Sequence, residues 1–239
     1  MEQNQLPAEI NEAQAYSVPW STLDTWLGVG LLGLLSVMML VILFTGIGRQ
    51  YVQSAGILVL ELLYLLPIIL IFGLRRISWK HLGFGKFSVS VVGIGCGLLL
   101  GGYALILLHN SILNTLGIDT QGDQIFEIFN RLEHPIWFFF VGAIVAPLVE
   151  EIFFRGFLFQ GFRQAYGWRP ALFLSSAIFA GAHLDPVSLI PTFILGCVLA
   201  YVFHRSNSLW PGIIFHATIN SMSLLAVYLI SQYPNLIPS

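Results

Sequence analysis

The chain has 239 residues, of which 56% are hydrophobic, 14% aromatic and only 9% charged, with a mean hydropathy of +0.82. That composition excludes an ordinary soluble domain, and a formal net charge of -2 gives no reason to expect a nucleic-acid partner. The two cysteines, Cys96 and Cys197, lie in apolar stretches and make neither a CxxC metal motif nor a disulfide framework.

Hydropathy predicts an all-α, polytopic transmembrane helical bundle of about seven spans, at 26–46, 52–73, 88–108, 135–162, 169–185, 187–204 and 209–231. Residues 1–24 form a polar tail carrying Glu2, Glu9 and Glu12. The first apolar run, from Trp26, is too long for a signal-peptide core and follows a tail without Lys or Arg, so it reads as a retained anchor. The N-terminal region, 25–134, ends in an acidic loop from about residue 109. There Asp119, Asp123, Glu127 and Glu133 interleave with Ile125, Phe126, Ile128, Phe129 and Leu132, which predicts an interfacial amphipathic turn or short helix. The fourth span is long and must tilt or project from the bilayer. The fifth and sixth are short and separated by little more than Asp185-Pro186, which leaves a re-entrant arrangement or an eighth span open. A short tail, 232–239, closes the sequence.

Basic residues predict the orientation. Placing Arg75, Arg76, Lys80 and Lys86 in the cytoplasm also puts Arg155, Arg163, Arg169 and Arg205 on or toward that side, leaving only Arg49 and Arg131 opposite. The positive-inside rule then predicts an integral cell-membrane protein with a cytoplasmic N-terminus.

Three acids lie well inside apolar spans, Glu61, Glu150 and Glu151, and so do two histidines, His183 and His216. His81, His109, His134 and His204 fall in loops or near span ends, where an imidazole reaches water. At the bilayer centre each charge costs about 2.5–3.5 kcal/mol on a translocon-based scale, so such groups persist mainly where they pair or do chemistry. At about 1.5 Å per residue, Glu150, His183 and Asn220 lie about 20, 21 and 22 Å from the boundary residues Arg163, Arg169 and Arg205. His216 lies about 16 Å from Arg205. Three helices thus bring their rare polar groups to one level.

Local spacing is coherent too. Glu151 and Arg155 are four apart on one helical face and can pair, while Glu150 lies about 100° around the helix and is left free to face His183, His216 and Asn220. Phe179 and His183, and likewise His216 and Asn220, have the same four-residue spacing, and Gly181 allows a close backbone approach. A Glu–Arg pair can also simply lock two helices, and a His or Asn can simply hydrogen-bond across a bundle. A transporter is disfavoured by the shortage of polar residues in the first three spans. Glu61, in its Leu-Glu-Leu-Leu-Tyr setting, has no clear partner.

The pattern Glu150-Glu151-x-x-x-Arg155, Phe179-x-x-x-His183, His216-x-x-x-Asn220 resembles the three-part signature of the CPBP family. This family comprises the type II CAAX prenyl endopeptidases with the related bacteriocin-processing and Abi intramembrane proteins. The resemblance covers about residues 135–225, so 135–231 is the implied catalytic region. It implies an intramembrane endopeptidase acting on a membrane-associated or lipidated peptide or protein. Glu150 would be the base that activates a water, oriented by His183, with His216 and Asn220 stabilising the oxyanion. Glu151, Arg155 and Phe179 would support them. Of the two acids Glu150 is the better base, because an arginine partner weakens the basicity of Glu151.

Glu150, His183 and His216 could instead hold zinc with a water in the remaining position. The sequence lacks the HExxH helix, however, and Asn220 suits an oxyanion donor better than a zinc ligand. The expectation is therefore a glutamate mechanism without a cofactor, with zinc as the alternative. A non-catalytic immunity or scaffold protein is the competing function. The lipid bilayer is the one further partner implied, and neither oligomeric state nor substrate identity can be read.

Overall fold

A computed structural model describes residues 16–45, 55–131 and 135–233. The acids Glu2, Glu9, Glu12 and Glu133, together with Arg49, Leu132, His134 and residues 234–239, lie outside the described residues. Among those described, the only regular structure is helical.

Helices stand at all seven expected places. The first, α1, is Thr22–Thr45. The second place holds two helices, α2 (Ala55–Leu63) and α3 (Leu66–Arg75), broken at Tyr64-Leu65. The break has a local cause: Pro67 sits in the first turn of α3, where it needs no amide hydrogen but would disrupt a continuing helix. A short 3-10 turn, Trp79–Leu82, precedes α4 (Ser90–Thr115). The amphipathic segment is a helix, α5 (Gln121–Arg131). Thr120 opens it, its amide and hydroxyl both donating to Asp123 Oδ2 at 2.7 Å.

The fourth place is one long helix, α6, from Pro135 to Tyr166, whose turns change width along its length. Pro135–Phe140, Ala146–Glu151 and Gln160–Tyr166 are α-helical, while Val141–Val145 and Ile152–Phe159 are wide π-type turns. Such turns often mark functional stretches, and here they bracket the glutamate pair. Gly167, at φ 82°, lets the chain reverse into α7 (Trp168–Ala182). Helices α8 (Leu189–Ser206) and α9 (Leu209–Gln232) complete the bundle.

Among the described residues four helices are both long and apolar enough to cross a membrane, by length and composition: α4, α6, α8 and α9. That measure reaches four of the seven expected spans; α3 and α7 are shorter, at 10 and 15 residues, and α1 is an apolar helix of 24 residues. Exposed Leu98, Leu100, Leu105, Leu107 and Leu108 on α4, with Leu34, Val37 and Val41 on α1, give the molecule an apolar exterior suited to lipid.

The core forms around α6. Every residue from 149 to 163 is buried, as expected of a helix apolar on all sides. Phe153, Phe154, Phe157, Phe159 and Phe162 pack there against Trp20, Phe72, Phe179 and Phe203. The rare charges of this helix therefore face protein, not lipid.

Candidate active site in the bundle

Glu150 and Glu151 lie in the short α-helical stretch between the two wide turns. Glu151 is fully buried, and its Oε1 accepts from Arg155 Nη1 at 2.8 Å, one turn on. Arg155 is held on two further sides. Its Nη2 donates to the Gly196 carbonyl of α8 at 3.1 Å, and its guanidinium lies 4.4 Å from the Phe179 ring centroid. An ion pair of this burial is sustained only by such added partners.

His216 of α9 reaches both acids. Its Nδ1 donates to Glu151 Oε1 at 3.2 Å, and its Nε2 lies 3.6 Å from Glu150 Oε2. Glu150, unpaired with Arg155, therefore has His216 beside it. Phe179 sets its edge against the rings of His183 and His216, with centroids 4.9 and 5.8 Å apart.

His183 closes the C-terminal end of α7. Its Nδ1 donates to the Phe179 carbonyl at 2.9 Å, which turns Nε2 outward as the free ring nitrogen. Asn220, one turn after His216 on α9, is tied to α6 as well. Its Nδ2 donates to the Gly142 carbonyl at 3.0 Å, in the first wide turn of α6. One amide hydrogen is thereby tied down and the other left over.

Glu150, Phe179, His183, His216 and Asn220 nevertheless line one cavity of about 390 Å³. Its remaining wall is mostly apolar, from Leu99, Tyr103 and Ile106 of α4 and Ile125 of α5 among others. Polar groups converging in an apolar pocket are the usual form of a small binding or reaction site. Among the described residues no group of three or more His, Cys, Asp or Glu side chains is placed to hold a metal ion. Nδ1 of His216 is committed to Glu151 and that of His183 to a carbonyl, which leaves both Nε2 atoms free, an arrangement compatible with either the glutamate or the zinc scheme.

Residues 132–222 match the family model described as type II CAAX prenyl endopeptidase Rce1-like. This stretch is similar to that family. The Rce1-like segment runs from the start of α6 into α9, and so holds Glu150, Glu151, Arg155, Phe179, His183, His216 and Asn220. It agrees with the resemblance drawn from the motifs.

The chain is also similar to three curated proteins. "Putative membrane peptidase YdiL" of Bacillus subtilis is 23% identical over 139 residues, which are 56% of this chain and 57% of that protein. "UPF0177 protein YxdF" of Lactococcus lactis is 27% identical over 185 residues, 72% of this chain and 98% of that one. An "Uncharacterized 24.3 kDa protein" of Escherichia coli is 26% identical over 204 residues, 79% and 87% of the two chains. The chain thus spans little more than half the length of the first. No solved structure gives a significant match.

Several residues that shape the candidate site were not singled out by sequence reasoning. Gly212 leaves room for Glu151, since a Cβ there would lie 2.7 Å from its Oε2. Gly196 lies against Ser176 and Phe179 in the same way. Gly181, which the sequence nominated for close approach, has open space around it. Small residues in apolar helices were the available signal, but with 23 glycines spacing alone does not say which ones touch a neighbour. His204, expected near water, is half-buried in the last turn of α8, and its ring stacks on Trp168 with centroids 4.6 Å apart.

Proposed function

We propose that this chain is an intramembrane endopeptidase that hydrolyses a peptide bond of a membrane-associated or lipidated peptide, using a water activated by Glu150. The observation that carries this reading is the convergence of Glu150, His183, His216 and Asn220 on one cavity within an Rce1-like segment.

The residue chemistry suits the reaction. Glu150 takes one proton from water while His183 Nε2 accepts a hydrogen bond from the other, fixing the water's orientation. The oxygen attacks the scissile carbonyl carbon, and the resulting oxyanion meets donors from His216 and the remaining Asn220 amide hydrogen. Donation from His216 Nε2 while Nδ1 stays on Glu151 requires hydrogen on both ring nitrogens. Glu150, Glu151 and Arg155 together carry net one negative charge, which balances that added proton. Collapse of the intermediate breaks the C–N bond, and the departing amine receives the proton held by Glu150. No step calls for a metal.

The chain sits in the bilayer with its N-terminus cytoplasmic in this reading, as the distribution of Lys and Arg favours. The test is cleavage of membrane peptides, farnesylated and unmodified, by full-length protein in nanodiscs, with products identified by mass spectrometry. Glu150→Gln keeps the side-chain volume and removes the base, so cleavage falls by about 10²–10⁴-fold. Equal cleavage by the variant overturns the mechanism.

A further inference from the structure

The turns that carry the basic residues meet at one end of the bundle. The end of α3 and the loop after it hold Arg75, Arg76, Lys80 and Lys86. That loop is joined to the turn between α8 and α9. Leu209 N donates to the Gly83 carbonyl at 2.8 Å, and Ser208 Oγ to the Gly85 carbonyl at 2.6 Å. Arg163, near the end of α6, donates to Asn207 Oδ1 of the same turn at 2.9 Å. Trp168, which opens α7 just before Arg169, stacks on His204 beside Arg205. Among the described residues only Arg155, in the core, and Arg131, at the end of α5, lie away from this basic end.

From that end α4 and α9 run in the same direction. A Cβ on Gly95 would meet the Phe215 ring, and Val91 and Phe215 share a core cluster with Val202 of α8. The cavity lies beyond these contacts. It is lined along α4 from Leu99 to Asn110 and along α9 from His216 to Val227, each a length of about 16 Å at about 1.5 Å per residue. Asn110 stands about 30 Å from Ser90, the first residue of α4, which is the thickness of a hydrocarbon core. Beside it the lining comes from Gln121 and Gly122, at the start of the amphipathic α5. Exposure follows the same axis. Glu150 and His216 are 7% and 2% exposed, Asn110 and Gln121 are half-buried, and Tyr103 is 51% exposed. The cavity therefore reaches from the middle of the bundle to the end opposite the basic turns.

Positive charge marks the cytoplasmic end of a membrane protein, so this mouth faces the other side. A length of about 16 Å accommodates about five residues of extended chain. The wall between the mouth and the glutamates is mostly apolar, with the amide and hydroxyl side chains of Asn110, Gln121 and Ser223 set into it. Apolar side chains suit that wall, and peptide amides suit the polar groups between. A hydrocarbon tail would leave those groups without partners.

We propose that the candidate site is entered from the extracytoplasmic face and takes an extended, apolar peptide segment presented there. The substrate is then a chain already exported or displayed at the outer surface, not one confined to the cytoplasm. This inference rests on the peptidase reading only in calling that segment a substrate; the side of entry does not depend on it.

The test labels full-length protein in intact cells with a membrane-impermeant, sulfonate-bearing thiol reagent. Each variant is read against the wild type with its own Cys96 and Cys197. Gln121→Cys at the mouth and Ser223→Cys inside should react about tenfold or more faster from outside than in inverted vesicles, since a charged reagent crosses hydrocarbon only at high cost. Lys80→Cys, at the basic end, should show the opposite preference. An apolar pentapeptide added outside should slow labelling of Ser223→Cys about tenfold at about ten times its Kd, and a lysine-rich pentapeptide should not. Equal rates from both faces, faster reaction from the cytoplasmic face, or no reaction of Ser223→Cys from either overturns the side of entry. Slowing by both peptides or by neither overturns the occupant. Should Ser223→Cys fail to fold, Gln121→Cys, on partly exposed surface, still decides the side. Outside labelling with no peptide cleavage upholds the entry and sinks the peptidase reading. Cleavage that depends on Glu150, with labelling only from the cytoplasmic face, does the reverse.

Discussion

Replacing Glu151 by Leu separates its two contacts, the one to Arg155 and the one to His216. The side chains of Glu151 and Arg155 are 0% and 1% exposed, so solvent screening gives the cation left behind no relief. Removing one partner of such a pair costs about 3–5 kcal/mol, because the remaining charge is buried uncompensated. The Gly196 carbonyl and the Phe179 ring still face Arg155, which pulls the expected loss toward the lower end of that range. Adding Arg155→Met removes the stranded charge, and the double variant should recover most of the stability, since apolar replacement of a buried pair is often close to neutral. Cleavage should not recover with it. His216 Nδ1 has lost its carboxylate acceptor, and misplacing a reacting group by about 1 Å costs on the order of 10²-fold in rate. Thermal unfolding in nanodiscs and a peptide-cleavage assay read the two effects separately. If Glu151→Leu alone costs less than about 1 kcal/mol, the buried-pair argument fails. If the double variant regains cleavage along with stability, Glu151 does not orient His216.

Other substitutions probe the same cavity from different sides. Gly212→Ala pushes a methyl group to 2.7 Å from Glu151 Oε2 and should lower cleavage about 10²-fold at a stability cost of about 1–3 kcal/mol, whereas Gly181→Ala, with open space around it, should stay within about 0.5 kcal/mol of wild type. Asn220→Ala breaks the tie to the Gly142 carbonyl, so unfolding should fall by about 0.5–1.5 kcal/mol and cleavage by about 10²–10³-fold. Exhaustive chelation should leave the cleavage rate unchanged; loss of activity that zinc restores would replace the glutamate mechanism with a metal one.

Spacing within one helix made part of this site legible. Glu151 and Arg155 differ by four positions and meet at 2.8 Å, although the stretch between them enters a wide turn. Hydropathy located the helices because burial in lipid and burial in α6 both demand apolar runs. It did not show the interruption at Tyr64-Leu65 or the wide turns of α6, since both depend on how the backbone fits its neighbours rather than on mean polarity. The bond from His216 to Glu151 was hidden for a related reason. A four-residue spacing tells which face His216 and Asn220 share, but the face of α9 spans several elements. His216 meets the glutamates of α6 while Asn220 reaches back to Gly142, eight residues before Glu150 in the same helix.

That divergence alters the meaning of the adjacent glutamates. On a single helix they part into a braced acid and a free one. Across the bundle His216 joins them, its two nitrogens set toward one oxygen of each. Glu151, fixed by Arg155, is the rigid member, so the imidazole takes its position from Glu151 and delivers Nε2 to the side where Glu150 faces the cavity. The 3.6 Å between Nε2 and Glu150 Oε2 is longer than a hydrogen bond and leaves both atoms available to a third group. In the proposed reaction that group is the substrate carbonyl with its attacking water. The brace and the base are then parts of one device: the charge that looks most structural, on Glu151, sets the geometry in which the other carboxylate works.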